Sequence, residues 1–182
     1  MRVLVACEFS GVVRNAFRAK GHDAWSCDLL PSLDNSPYHI TGDVLPLIEQ
    51  EWDLMIAHPP CTALTVAGNR WYHDKPDLIN EAYEFVLKLA NTPINKICIE
   101  NPVGRLSTLW RKPDQYIQPW QFGHGETKKT GLWLKNLPKL VPTSIVEGRE
   151  QRIWKMAPSK DRAYLRSITY QGIADAMAEQ WG

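Results

Sequence analysis

The chain has 182 residues, of which 44% are hydrophobic and 23% are charged, and its formal net charge is +1. This length suits one domain with a full core, and the composition excludes a disordered chain. No apolar run approaches the roughly 18 residues of a membrane span, so we expect a cytoplasmic protein without a membrane partner.

The charge is distributed unevenly along the chain. Residues 1–104 hold 8 Lys and Arg against 13 Asp and Glu, a net charge of −5. Residues 105–166 hold 13 against 5, a net charge of +8, and residues 167–182 hold none against 2. A domain polarised in this way can bind a polyanion on one side, although a solvated basic surface is the alternative.

The four cysteines lie far apart, without a Cys-x-x-Cys motif or a nearby pair of histidines. This spacing argues against a structural zinc site, and the size of the chain argues against a disulfide scaffold. We therefore expect no metal cofactor and judge each cysteine by its surroundings.

Strand and helix patterns alternate through the first half of the chain, which predicts a parallel sheet. A first strand spans 2–9, and a helix with one apolar face runs from Val12 to a stop at Gly21. Three further short strands are predicted at 24–27, 38–41 and 53–57.

A long helix is predicted after the fourth strand. Asp74 can cap this helix, and Pro76 suits its first turn. The remaining predicted elements are, in chain order, a fifth strand at 96–99, the strands of an edge hairpin at 116–122 and 132–134, and a terminal helix at 173–181.

Three of the predicted strand ends suit a cofactor that contains a nucleoside, because ligands of open parallel sheets bind at the carboxyl ends of the strands. The turn at Phe9-Ser10-Gly11 lets the backbone approach a ligand. Asp28 can accept hydrogen bonds from two ribose hydroxyls, and Asp43 can accept one from an adenine amino group. Each acid alone is more often a helix cap, but the three features in this order indicate a nucleoside site.

Cys61 follows two prolines at the end of an apolar strand, and Glu100 ends the next strand. The prolines restrict the backbone and so fix where the Cys61 side chain points. A right-handed crossover through the intervening helix places both strand ends at one edge of the sheet. Either residue alone is more often structural, and so is the neighbouring His58, which can also tune the thiol.

A thiol and a carboxyl group in one cleft suit the chemistry of cytosine. Its C5 is a poor nucleophile until a thiolate adds to C6 and N3 is protonated or hydrogen-bonded. The joint placement of Cys61 and Glu100 therefore favours a catalytic pair.

Taken in order, these residues resemble the DNA cytosine-5 methyltransferases, in particular the short versions carried by bacteriophages. The likeness runs from about residue 2 to residue 180 and is most specific at Pro60-Cys61 and Glu100-Asn101. The other matching segments are the cofactor loop at 8–11, the acids Asp28 and Asp43, a counterpart of the Gln-x-Arg-x-Arg stretch at 122–130, and the final motif at 170–174.

The resemblance implies a Rossmann-like α/β fold of class I, with a mixed, mostly parallel sheet and helices on both faces. It implies S-adenosylmethionine as the cofactor and duplex DNA with a flipped cytosine as the partner. The catalytic residues would be Cys61, Glu100, Asn101, Lys128 and Lys129. The cofactor-binding residues would be Phe9, Ser10, Gly11, Asp28, Asp43, Val44 and Pro60.

The same resemblance divides one catalytic domain, 1–182, into three parts. Residues 1–104 form the half that binds the cofactor and carries the catalytic pair, and residues 105–170 form a basic, Trp-rich part for nucleic acid. Residues 171–182 form the terminal helix.

Several positions depart from the family pattern. The family's residues are replaced by Val12-Val13 in the first loop, by Thr62 after the nucleophile, and by Glu126, Lys128 and Thr130 in the Gln-x-Arg-x-Arg stretch. Lys128 or Lys129 is then the candidate for contacting the cytosine carbonyl, although lysine lacks the planar fork of arginine.

The target-recognition domain of the family does not fit into this chain, because only about 35 residues separate Leu134 from Tyr170. A basic segment with a tryptophan lies there instead, and such a segment can bind phosphates without reading much sequence. We therefore expect short or relaxed target specificity. The residues of this segment that carry the expectation are Arg149, Arg152, Trp154, Lys155, Lys160, Arg162 and Arg166.

Three other functions stay open. An amino-methyltransferase for cytosine N4 or adenine N6 presents a Pro-Pro motif similar to His58-Pro59-Pro60-Cys61, but it needs no Glu-Asn pair. A catalytically silent module that binds DNA or cofactor agrees with the missing recognition domain. RNA or a free nucleotide as the substrate would keep the same chemistry.

Overall fold

The computed structural model describes residues 1–157, 159 and 162–182. Lys160 of the predicted basic segment lies outside these described residues. Seven strands form one sheet in the order β3-β2-β1-β4-β5-β7-β6. They are β1 (Arg2–Ala6), β2 (Asp23–Asp28), β3 (His39–Thr41), β4 (Leu54–Ala57), β5 (Lys96–Pro102), β6 (Gln115–Ile117) and β7 (Thr130–Lys135).

The first five strands are parallel to one another, and β7 runs antiparallel to both of its neighbours, β5 and β6. The helices are α1 (Val12–Ala19), α2 (Asn69–Tyr72), α3 (Pro76–Ala90), α4 (Leu106–Leu109), α5 (Arg152–Lys155), α6 (Arg162–Ser167) and α7 (Gln171–Trp181). Within the described part of the chain, no helix has both the length and the apolar character that crossing a membrane requires.

Alternate residues of the central strands face two separate hydrophobic layers. Val3 and Val5 of β1 belong to the layer built with α1 and α7, where Trp181 is the largest buried side chain. Leu4 of β1 and Met55 of β4 belong to the opposite layer, built with α3. Alternate side chains of a strand point to opposite faces of the sheet, so helices cover both faces. The predicted mostly parallel sheet with helices on both faces is confirmed.

Most predicted elements are confirmed, and three predictions are wrong in detail. The long helix begins after Lys75, which makes no side-chain cap, so Asp74 is not its cap. The predicted strand at 116–122 ends at Ile117, and a 3-10 turn begins at Pro119. Proline has no N–H group to donate to a neighbouring strand, so the pairing stops there. The first strand also ends early, where Cys7 adopts a left-handed conformation with φ 59°.

The buried carboxylate of Glu8 caps the first turn of α1. It accepts hydrogen bonds from the backbone N–H of Val13 at 2.7 Å and of Arg14 at 3.2 Å, and from the Ser10 hydroxyl at 3.2 Å. A negative charge at a helix N-terminus satisfies its unpaired N–H groups and interacts favourably with the helix dipole. The intervening turn at 9–11 is therefore fixed between β1 and α1.

The side chain of Arg14 is fully buried and attaches the loop after β2 to α1. It donates to the Ser26 hydroxyl at 2.8 Å and forms an ion pair with Asp34. Burial alone would raise the pKa of the Asp34 carboxyl, but hydrogen bonds from Ser32, Asn15 and Arg14 lower it overall. This loop forms one side of the cavity described below.

We predict that Gly11→Ala destabilises the protein more than Gly21→Ala. Both glycines have positive φ, 74° and 83°, which costs about 1 kcal/mol for a residue with a Cβ. At Gly11 the added Cβ would also lie 2.3 Å from Nη2 of the buried Arg14, whereas at Gly21 it meets nothing within 4 Å. We expect losses of about 2 kcal/mol or more and about 1 kcal/mol, respectively, in urea unfolding. Equal losses would contradict the close packing of Arg14 on the turn.

Candidate active site

A cavity of about 170 Å³ opens at the carboxyl ends of β1, β2 and β4. Four of the predicted cofactor-binding residues line it, namely Phe9, Ser10, Asp28 and Pro60. The remaining lining residues are Cys7, Glu8, Leu30, His58, Ser167 and Thr169. The cavity therefore lies where an open parallel sheet binds its ligands.

The other three predicted cofactor-binding residues do not line this cavity. Gly11 immediately precedes α1. Asp43 is exposed after β3, where its carboxylate accepts a hydrogen bond from the Leu45 N–H at 3.0 Å, and Val44 is buried in the core. Their role at the cofactor stays a prediction.

The basic second half of the chain covers one side of the cavity. The ring of Tyr164 in α6 stacks on Phe9, with the ring centroids 4.5 Å apart. Ser167 and Thr169, which follow in the chain, line the same cavity. The sequence pattern assigned this segment to nucleic acid alone, because no local pattern marks a residue that contacts another more than 150 positions away.

The segment after Cys61 is bound to the segment after Glu100. The carbonyl oxygen of Cys61 accepts hydrogen bonds from the N–H groups of Leu64 and Thr65, both at 2.9 Å. The Arg105 N–H donates to the Leu64 carbonyl at 2.6 Å, and a Cβ on Gly104 would lie 2.0 Å from that same oxygen. A tight backbone contact thus fixes the position of Cys61 relative to β5.

Asn101 of the predicted Glu-Asn pair is fully buried. Its side-chain amide donates to the carbonyl of Pro59 at 3.3 Å. This hydrogen bond attaches the Pro-Pro-Cys segment to β5, so the Asn101 side chain helps to position Cys61. A direct catalytic role for Asn101 stays a prediction.

Glu100 is largely buried and hydrogen-bonded to His58, with 2.8 Å between Oε2 and Nδ1. Burial alone would raise the pKa of the Glu100 carboxyl, but the bond to His58, the charge of His58 and the charge of Lys128 lower it overall. Glu100 is therefore a carboxylate at neutral pH. His58 is a candidate from the sequence, but its contact with Glu100 is visible only in the structure.

Burial raises the pKa of the Cys61 thiol, and the negative charge of Glu100 raises it further. The positive charges of Lys128 and Arg166 oppose this rise in part. The charges that act on the Cys61 thiol thus include those of Glu100, Lys128 and Arg166. At neutral pH Cys61 is mostly a thiol, so a nucleophilic role requires that it lose its proton in the complex with substrate.

The two predicted lysines occupy different environments. Lys128 lines a second, very small cavity together with Glu100, and its Nζ donates to the Arg166 carbonyl at 2.8 Å. Lys129 is exposed, and its Nζ lies 4.4 Å from the centroid of the Tyr116 ring. Of the two, Lys128 is the one placed beside the Cys61–Glu100 pair.

The predicted counterpart of the Gln-x-Arg-x-Arg stretch packs against the start of α7. Glu126 accepts hydrogen bonds from Arg152 at 3.0 Å and from the Tyr170 hydroxyl at 2.6 Å. The His124 ring accepts one from the Gly172 N–H at 3.0 Å. Glu126 is thus a structural anchor between segments and lies in ion-pair contact with the basic segment.

Comparison with known proteins gives similarity in structure alone. No protein-family model matches the sequence, and no curated protein is similar to it in sequence. One similar structure is described as a DNA modification methyltransferase encoded within a prophage of E. coli; it is 15% identical over 80% of this chain, with a TM-score of 0.50. Another is the Dnmt2 methyltransferase of S. pombe, 18% identical over 88% of this chain, with a TM-score of 0.52.

The fold is that of a Rossmann-like, S-adenosylmethionine-dependent methyltransferase. This confirms the predicted fold class. The chain spans only 52% and 57% of the lengths of the two solved methyltransferases. Within the described residues of this fold, no group of three or more His, Cys, Asp and Glu side chains could hold a metal ion.

The side chains that line the larger cavity fit part of S-adenosylmethionine. Asp28 offers a carboxylate with one oxygen bonded to the Leu30 N–H at 2.9 Å, which leaves acceptor capacity for ribose hydroxyls. Phe9 and Pro60 offer apolar surface, and Ser10 offers a hydroxyl. The volume of this cavity, about 170 Å³, is less than the ~300 Å³ or more of a typical complete ligand site, so these side chains account for only part of the cofactor.

We predict that Lys128→Ala slows Cys61 chemistry more than Lys129→Ala. Loss of the Lys128 charge raises the pKa of both Cys61 and Glu100 and so lowers the thiolate fraction at neutral pH. We expect alkylation of Cys61 by iodoacetamide at neutral pH, followed by peptide mass spectrometry, to be several-fold slower in Lys128→Ala and to change by less than about twofold in Lys129→Ala. A larger effect of Lys129→Ala would show that the neighbouring lysine is the one beside the thiol.

Proposed function

We propose that the protein transfers a methyl group from S-adenosylmethionine to C5 of cytosine in DNA, with short or relaxed sequence specificity. The observation that carries the proposal is that Cys61 follows β4 and Glu100 lies in the neighbouring strand β5, next to the larger cavity, and that the charge of Glu100 acts on the Cys61 thiol. The fold by itself supports methyl transfer in general. The thiol and carboxyl pair supports the carbon atom C5 as the acceptor.

The proposed reaction begins with Cys61 and the base. The Cys61 thiolate adds to C6, which breaks the C5–C6 double bond and places its electron pair on C5, N3 and the carbonyl. Glu100 engages N3 and so stabilises that charge, while Lys128 is near enough to the pair to stabilise the carbonyl oxygen. The base must leave the duplex stack to reach both groups.

C5 then acquires the methyl group. S-adenosylmethionine, when bound, supplies an electrophilic methyl carbon beside C5. Phe9, Ser10, Asp28 and Pro60 would hold it in the larger cavity. Loss of the C5 proton to a base restores the C5–C6 double bond, and the C6–S bond breaks to release the Cys61 thiolate.

The protonation states of the free protein require two changes on substrate binding. Cys61 has a raised pKa and must lose a proton, and Glu100 is a carboxylate that must gain one to donate to N3. An uncharged base that displaces water from Glu100 raises the pKa of this carboxyl by desolvation. The proton from Cys61 balances the proton gained by Glu100, so substrate binding needs no net proton exchange with solvent, and the only proton released in the reaction is the one that leaves C5.

The basic half of the chain supports nucleic acid as the substrate. Residues 105–166 carry a net charge of +8. Aromatic rings accompany several of these charges, since the Arg149 guanidinium lies 3.8 Å from the Trp120 ring centroid and Trp154 is 74% exposed. Cations with exposed aromatic rings suit phosphates and unstacked bases, and such contacts carry little sequence information.

We predict that the protein forms a covalent adduct with DNA that contains 5-fluorocytosine when S-adenosylmethionine is present. Fluorine at C5 cannot leave as a proton, so the C6–S bond persists. Cys61→Ser should abolish the adduct, and Glu100→Gln should slow its formation about a hundredfold or more. Denaturing gel electrophoresis with labelled DNA measures the adduct.

Nucleoside mass spectrometry of the methylated DNA identifies the acceptor atom. Methyl groups on cytosine N4 or adenine N6 would replace the C5 proposal by the amino-methyltransferase alternative. Transfer to neither DNA, RNA nor nucleotides would favour the silent binding module.

We also predict a strong salt dependence of duplex DNA binding, because basic side chains that contact phosphates release condensed counterions. The logarithm of the association constant should fall linearly with the logarithm of salt concentration. Lys155→Gln in the basic half should reduce the slope by about one, whereas Lys88→Gln on α3 should leave it unchanged. A slope near zero, measured by fluorescence anisotropy, would point to a free nucleotide as the substrate.

A further inference from the structure

His39 in the edge strand β3 is hydrogen-bonded at both of its ring nitrogens. Nδ1 lies 2.9 Å from the Ser26 hydroxyl oxygen, and Nε2 lies 2.9 Å from the Leu30 carbonyl oxygen. A carbonyl oxygen can only accept, so Nε2 carries a proton and donates to Leu30 whether the ring is neutral or charged. The imidazole therefore connects the sheet to the loop that follows β2.

On the sheet side, the His39 ring is attached to the protein core. Ser26 of β2 pairs with His39 in the register of the two strands, and the Ser26 side chain is fully buried. The buried Arg14 guanidinium donates to the Ser26 hydroxyl at 2.8 Å and forms an ion pair with Asp34. Separating buried hydrogen-bonded groups is costly, because each would lose its partner away from water. The core thus fixes the position of the His39 ring.

On the loop side, the His39 ring reaches a residue of the larger cavity. Leu30 lines this cavity, and its N–H donates to Oδ1 of Asp28 at 2.9 Å. The N–H and the carbonyl of Leu30 flank the same Cα, so a bond that holds the carbonyl also restricts the N–H. His39 is therefore connected to the Asp28 carboxylate through one residue.

Packing contributes little to the position of this loop. The side chains of Leu29, Leu30 and Leu33 are 77%, 47% and 48% exposed. The backbone hydrogen bonds that attach the loop are the one from His39 to the Leu30 carbonyl and the one from the Leu33 N–H to the Phe9 carbonyl, at 3.0 Å. Loss of the His39 bond therefore leaves the Leu30 carbonyl without its attachment to the sheet.

We propose that His39 is a positioning residue of the cofactor site. Its Nε2–H group holds the Leu30 carbonyl, and the Leu30 N–H in turn holds one oxygen of the Asp28 carboxylate. The remaining acceptor capacity of Asp28 is thereby directed at the ribose hydroxyls of the ligand. The identity of this ligand rests on the proposed function, since S-adenosylmethionine and S-adenosylhomocysteine carry the same ribose.

Two amide variants separate the loop side of the His39 ring from its sheet side. A glutamine amide reaches the position of Nε2, so His39→Gln keeps a donor for Leu30 and loses the bond to Ser26. An asparagine amide reaches only the position of Nδ1, so His39→Asn keeps a partner for Ser26 and loses the bond to Leu30. Each variant is the matched control of the other.

The first measurement is the affinity for S-adenosylhomocysteine by isothermal titration calorimetry, which needs no turnover. We expect His39→Asn to bind about fivefold more weakly than the wild type, the usual effect of one lost hydrogen bond, and His39→Gln to bind within about twofold of the wild type. The second measurement is urea unfolding without ligand. Here we expect the reverse order, with His39→Gln less stable than His39→Asn, because the Ser26 hydroxyl is fully buried.

A merely structural histidine would give affinities that follow the stabilities of the two variants, and that result would overturn the inference. The route through Asp28 is checked in an Asp28→Ala background, where His39→Asn should cause no further loss of affinity. An additional fivefold loss there would show that His39 acts on the ligand by another path.

The outcome for the wild-type protein distinguishes the two proposals. Failure of the wild type to bind S-adenosylhomocysteine would overturn the proposed cofactor and, with it, this inference. Binding by the wild type with equal affinities in His39→Asn and His39→Gln would overturn the role of His39 alone and leave the proposed cofactor intact.

Discussion

The parallel pairing of β4 with β5 is the constraint on which the site depends. In this register Ala57 pairs with Ile99, so His58, which follows β4, lies beside Glu100, which still belongs to β5 and pairs with Leu132 of β7. Their hydrogen bond of 2.8 Å and the backbone contact between Leu64 and Arg105 extend the pairing beyond the strands. The loop that carries Cys61 is thereby fixed next to the buried Glu100 carboxylate. The sheet register, rather than any single side chain, brings the two candidate reacting groups together.

Electrostatics then decides the resting state of the pair. Glu100 lies beside His58 and Lys128 and keeps its negative charge in spite of burial, and burial of Cys61 together with this charge keeps the thiol protonated. The free protein therefore holds a thiol and a carboxylate, which is a stable but unreactive combination. The reaction proposed for cytosine needs the reverse arrangement, a thiolate and a carboxylic acid. Substrate binding can bring about this exchange because an uncharged base removes water from Glu100 and so changes the balance of desolvation and charge.

The basic half of the chain takes part in both candidate sites. It contributes Lys128 and Arg166 to the neighbourhood of Cys61, and it contributes Tyr164, Ser167 and Thr169 to the cavity beside Asp28. The chain spans little more than half the length of the two methyltransferases of similar fold. Under the proposed function, the stacking of Tyr164 on Phe9 places the basic half of the chain beside the cavity that would hold the cofactor.

The sequence by itself determined the sheet elements, because alternation of apolar residues and Gly and Pro stops are local signals. It also predicted that Cys61 and Glu100 lie at one edge, since crossover handedness is a general rule. Some local predictions are wrong: the long helix begins after Lys75 and is not capped by Asp74, and residues 118–122 are not a strand because a 3-10 turn begins at Pro119. Only the tertiary structure placed His58 on Glu100, Lys128 rather than Lys129 beside it, and Tyr164 on Phe9. These contacts join residues that are 28 to 155 positions apart in the chain, and no local pattern encodes them.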